Sequence, residues 1–199
     1  MAKKTLRLTF PEWQGGINPP YYAGSHILDM IAPKGDNLEC AEVPVKTNFE
    51  DEVPVTDGVS WKNELLEQQK IAYEICEMKD PDKIIIYQKE YQMKYLTQQQ
   101  LAENSEELLS WIRENEYQQV LIHWDLDVLS PDDFRSLLCA EPHIPPVSYA
   151  VGQMTLDQMI RIIKDVSGIV NVAALGITEF LPWDMIRFQR KLKELDIFN

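Results

Sequence analysis

Short apolar runs alternate along this chain with stretches whose apolar residues recur at helical spacing, which predicts strands and helices in turn. Thr5 to Phe10 alternates apolar and polar residues as a strand does, and Pro11 closes it. Glu12 to Tyr22, with Gly15-Gly16 and Pro19-Pro20, is a loop by composition, and a short helix from Ala23 to Ile31 follows it. Glu39 to Val45 is a second strand, interrupted by Pro44, and Lys46 to Gly58 is an acidic loop. Ser60 caps a long helix to Met78 with Leu65, Leu66, Ala72, Ile75 and Cys76 on one stripe. Lys83 to Tyr87 is a buried strand, and a weaker one, Gln92 to Leu96, follows with no crossover helix between, so the two must form a hairpin or lie in line. Thr97 or Ser105 caps the next helix, which turns Leu108, Leu109 and Ile112 inward and ends near Asn115.

The C-terminal half carries the strongest pattern. Val120 to Ile122 begins a strand buried on both faces, which ends in acid and leads through Ser130-Pro131 into a helix reaching Leu138. Glu141 to Ala150 is a Pro-rich loop. Thr155-Leu-Asp-Gln158 is a capping box that opens a helix bearing Leu156, Met159, Ile160, Ile163 and Val166. Ile169 to Ile177 is another buried strand, and a last helix runs from Asp184 to Leu195. Neither a repeat nor a dividing linker interrupts this order, so one domain spanning residues 1–199 is expected.

Charge and composition narrow the partners. A net charge of -13 offers no Lys and Arg stripe for a phosphate backbone, so no nucleic acid is expected. The sequence has no apolar run long enough to span a membrane, and the basic start lacks a following apolar segment, so it does not read as a signal peptide. Cys40, Cys76 and Cys139 are odd in number and lack metal spacing, as expected for reduced thiols in a cytoplasmic protein. His26 and His143 read as structural or surface residues.

His123, Asp125 and Asp127 alternate on one strand and are expected to point the same way. Two adjacent carboxylates repel and lose hydration unless a cation or a proton lies between them, so the pair is a candidate metal site. Ser130, Asp132 and Asp133 are explained as a helix start, but that leaves Asp125 and Asp127 unexplained. Glu179 also ends a strand. It is either a third carboxylate at the same sheet edge or an N-terminal charge for the last helix.

Several segments together resemble the arginase/agmatinase (ureohydrolase) family. His123-Trp-Asp-Leu-Asp-Val-Leu-Ser-Pro131 resembles the family motif Ser-x-Asp-x-Asp-x-x-Asp-Pro, and Leu175-Gly-Ile-Thr-Glu179 resembles its late strand with a substrate-binding glutamate. Leu6 to Gly16 and the helix start Gly152-Gln-Met-Thr155 are similar as well. The resemblance implies an α/β fold, a three-layer α/β/α arrangement around a mostly parallel sheet with central strands missing. It also implies hydrolysis of a small guanidino substrate by water activated between two manganese ions. On that mapping Asp125 and Asp127 are metal ligands, Glu179 holds the substrate, and His123 stands at a position where the family more often has Ser.

The chain departs from the family where the other ligands belong. Gln88-Lys-Glu-Tyr stands in place of Gly-Gly-Asp-His, and Asp-Ala-His-x-Asp has no counterpart. A partial manganese site with weak or no activity is therefore expected. Two alternatives stand beside it. One is a non-catalytic structural member that forms homo-oligomers. The other is a phosphatase of the haloacid-dehalogenase type, since Asp125-Leu-Asp-Val-Leu129 resembles that family's nucleophile motif.

Overall fold

In the computed structural model, which describes residues 5–9, 19–35, 38–42, 55–56, 59–60, 94–145 and 151–198, parallel strand pairing and amphipathic helices define an α/β fold. The chain divides into two compact units, residues 1–45 with 97–199 and residues 46–96.

In the first unit, β1 (Thr5–Thr9) pairs in parallel with β2 (Leu38–Glu42), and helix α1 (Pro19–Ile31) connects them. Parallel neighbours require such a crossover. The helix starts four residues earlier than its apolar pattern predicts, because Pro19 and Pro20 suit a first helical turn, where an amide N–H has no helical partner. Arg7 reaches across to α1, donating to the Asp29 carbonyl at 3.1 Å and to the Pro33 carbonyl.

The second half of this unit begins with α2 (Gln98–Leu101) and α3 (Glu106–Glu114). Thr97 and Ser105 each precede a helix, but only Thr97 caps with its side chain, in a capping box with Gln100. The Ser105 hydroxyl instead donates to Asp165 Oδ2 at 2.7 Å. Strand β5 (Gln119–Asp125) follows and pairs in parallel with β6 (Asn171–Thr178), with α4 (Leu156–Ser167) between them. The predicted capping box at Thr155 and Gln158 is present, and α4 buries Leu156, Ile160, Ile162, Ile163 and Val166. Helix α5 (Met185–Leu192) ends the fold, followed by a 3-10 turn at Asp196–Phe198.

Expected burial on both faces of β5 is not found. Gln119, Leu121 and His123 are exposed, whereas Trp124 on the opposite face is buried against Phe188 of α5. The predicted helix from Pro131 to Leu138 is not formed either. Residues 131–133 make a turn, and one 3-10 turn occupies Leu138–Ala140. Burial of Phe134 and Leu137, both fully enclosed, and recruitment of Asp133 and Ser136 to bond distant backbone outweigh the local helix signal.

In the second unit, β3 (Val55–Thr56) and β4 (Val59–Ser60) form an antiparallel hairpin within and just after the stretch expected to be loop. Ser60 therefore lies at the end of a strand. Lys94 to Leu96 has no strand structure. The expected helix body beyond Ser60, the strand Lys83 to Tyr87 and the loop residues 12–18 lie outside the described residues. Among those described, no helix is long and apolar enough to cross a membrane.

A carboxylate rim where two parallel strands end

The register of β5 and β6 decides which side chains meet. His123 lies opposite Gly176, Trp124 opposite Ile177 and Asp125 opposite Thr178. Glu179 is the next residue, so Asp125 and Glu179 leave the same carboxyl edge of the pair, the edge at which α/β sheets usually bind ligands.

Asp127 does not continue the strand, as its alternation with Asp125 predicts. The backbone turns into a 3-10 helix at Leu126–Val128, and Asp125 is its N-cap, with Oδ1 accepting the Asp127 N–H at 2.9 Å. Leu126 and Leu129 are fully buried and anchor that turn from below. Its upper side is held by the segment before α4. Val128 and Ser130 exchange backbone hydrogen bonds with Met154 at 3.1 and 2.8 Å. Gly152 is so close that a Cβ there would lie 2.3 Å from the Asp127 carbonyl oxygen. No side chain fits in that space.

The three carboxylates interact. Partial burial, then the charge of Asp125 and then that of Glu179, raise the Asp127 pKa from the ordinary aspartate range to about 6. Cys139 lies near enough for the same field to act on it: burial pushes its thiol pKa up, and the Asp127 charge adds to the effect. A raised pKa favours the unreactive protonated thiol. Cys139 reads as an isolated thiol in the sequence, since only folding brings it beside the acidic turn.

Glu179 has a left-handed backbone, with φ of 63°. The residues after it are fixed by Phe180, which stacks on Phe188 at 5.3 Å, and by Gly24 of α1, whose Cα faces the Phe180 carbonyl. Its expected roles, rim carboxylate and helix-terminal charge, separate here: a 3-10 turn at Pro182–Asp184 lies between Glu179 and α5. His123 is on the exposed face of β5, with Nδ1 3.6 Å from the position a Cβ on Gly176 would take. It is not among the groups whose charge shifts Asp127. His26 is on α1, with Nδ1 4.0 Å from Glu42, and His143 is exposed in a turn.

The fit to a metal pair is poor. Among the described residues, no three His, Cys, Asp or Glu side chains converge as ligands for one ion. Asp125 also spends an oxygen on the Asp127 N–H. A dinuclear manganese centre needs a larger converging donor set than this rim supplies.

No protein-family model matches the sequence. Nor does any curated protein. Among solved structures, formimidoylglutamase from Bacillus subtilis subsp. subtilis str. 168 aligns with 55% of this chain at 21% identity and a TM-score of 0.37. The alignment spans 36% of that protein's length, and a likeness at that level carries no weight for the fold or activity of this chain.

Proposed function

We propose that this chain is a shortened arginase-like protein of the ureohydrolase class that binds a small guanidino compound at the carboxylate rim and hydrolyses it weakly or not at all. One observation carries the reading: the parallel register brings Asp125 and Glu179 to one strand edge, with Asp127 close enough to feel both charges. A planar guanidinium presents paired N–H donors that match carboxylates and would relieve their mutual repulsion. Glu179 is the residue proposed to accept from it, with Asp125 and Asp127 as the acidic wall and His123 as the neighbouring candidate for proton transfer. Weak turnover follows from the missing ligand motifs. Two carboxylates and water could hold at most one manganese ion loosely.

The test measures agmatine and arginine binding by calorimetry and urea release with and without manganese. Millimolar binding that disappears in the double variant Asp127→Asn, Glu179→Gln, with urea release near the buffer rate, is the expected result. Manganese-stimulated turnover at an enzymatic rate would show an intact hydrolase, and absence of binding would remove guanidino recognition. Aryl phosphate hydrolysis measured alongside tests the phosphatase alternative. A second reading, a non-catalytic member that self-associates, is favoured by the exposure of Leu6, Leu8 and Leu121. Light scattering separates monomer from homo-oligomer.

A further inference from the structure

We infer that Ser136 and Arg187 are positioning residues, which clasp the segment following β5 to the segment following β6 and so set the separation of Asp127 from Glu179. The use of the rim for a guanidino ligand rests on the reading above, but the clasp stands on its own hydrogen bonds. The paired strands stop at Asp125 and Thr178, before either Asp127 or Glu179. Some other contact must hold the two continuations in place.

Ser136 supplies half of it. The residue is fully buried, its carbonyl accepts the Leu181 N–H at 3.1 Å, and its hydroxyl oxygen accepts the Asp184 N–H at 2.7 Å. Arg187 supplies the other half. Its guanidinium donates to the Asp133 carbonyl, donates to Asp133 Oδ1 at 2.9 Å, and lies 3.8 Å from Asp184 Oδ2. Asp133 uses its remaining oxygen to accept the Leu156 N–H at 2.8 Å, which extends the tie to the start of α4. Segment 133–136 is thus joined to residues 181–187 through both backbone and side chains, and none of these bonds uses Asp125, Asp127 or Glu179. The arrangement uses both arms of a planar fork: one terminal nitrogen meets the Asp133 carbonyl and faces Asp184, the other meets Asp133 Oδ1, and a lysine ammonium at 187 keeps the charge without that paired geometry.

The experiment is a double-mutant cycle between Asp127→Asn and Glu179→Gln, read as thermal midpoints at pH 8, where Asp127 is ionised. It is run in the native chain and in the Ser136→Ala and Arg187→Lys backgrounds. Each neutralisation removes the same repulsion, so in the native chain the gains are sub-additive, by about 1 °C for a chain of this size, Glu179 being the smallest of the influences on Asp127. Both backgrounds are expected to lower the midpoint by a few degrees and to cut the sub-additivity by half or more. Lowered midpoints with unchanged sub-additivity would show purely structural roles and overturn the inference, as would additive gains in the native chain. Should Ser136→Ala lose its cooperative transition, Arg187→Gln is read in its place, since the Arg187 side chain is 33% exposed. Agmatine binding lost while the coupling behaves as expected overturns the guanidino reading and leaves the clasp standing; the reverse pattern removes the clasp alone.

Discussion

At Asp127, burial strips water from the carboxylate while Asp125 and Glu179 add like charge, and both effects favour the protonated form. In the unfolded chain this proton leaves near pH 3.9, and in the folded chain near pH 6. Between those values the folded state binds more protons, so stability falls as pH rises from about 4 to about 6 and stays lower above. A shift of two units corresponds to about 3 kcal/mol without screening. The burial of Asp127 is only partial and the residue keeps contact with solvent, so water reduces this to about 1 kcal/mol. Asp127→Asn is therefore expected to stabilise the protein by that amount at pH 7.5 and not at pH 4, as measured by urea unfolding. A gain of equal size at pH 4 would exclude an electrostatic origin. Glu179 stores strain of another kind. Its left-handed backbone costs a residue with a Cβ about 1 kcal/mol and costs glycine little, so Glu179→Gly should raise the unfolding free energy by about that much while removing the carboxylate from the rim. A loss of stability on denaturant unfolding would mean that contacts of the side chain exceed the strain.

Between elements, Phe188 joins three of the segments that carry the rim. Its ring packs edge-on against Trp124 of β5 at 5.6 Å, meets Phe134 in the segment after β5 at 5.3 Å, and stacks on Phe180 after β6. Truncation to Ala would leave a cavity shared by three segments and should cost about 3–5 kcal/mol in chemical denaturation. A loss below about 1 kcal/mol would show that the three rings can collapse into the space. The contacts around Phe188 also mark the limit of what the sequence discloses. Local signals sufficed for α4, where Thr155, Gln158 and the apolar stripe all fall within one helix, and for the strand character of β5 and β6. They failed for Pro131 to Leu138, whose good helix start is overridden by bonds to residues some 50 positions away, from Ser136 to Asp184 and from Asp133 to Arg187. Asp125 and Glu179 could be placed on one edge because parallel strands end together. The turn at Leu126 that takes Asp127 off the strand and the approach of Cys139 could not, since both depend on tertiary packing.

For the molecule as a whole, 32 acidic residues face 19 basic ones, and the net charge of -13 makes self-repulsion a force opposing the compact state. Ion pairs act against it. Lys191 binds Asp157 at 2.7 Å and Glu194 at 2.8 Å, and Arg113 binds Glu106 at 2.7 Å. Exposed pairs of this kind are worth about 0–1 kcal/mol each, and every basic residue so matched still leaves the acidic excess in place. Repulsion acts over longer distances than a contact pair and is screened as the Debye length shrinks from about 30 Å at 10 mM salt to about 3 Å at 1 M. Raising sodium chloride from about 10 mM to 1 M is thus expected to increase the thermal midpoint by several degrees, chiefly below about 150 mM, where screening of separated charges is steepest. Sodium chloride is the appropriate salt because sulfate would strengthen apolar burial as well. A midpoint that falls over the same range would mean that the short ion pairs, including the Arg187 clasp, contribute more than the summed repulsion.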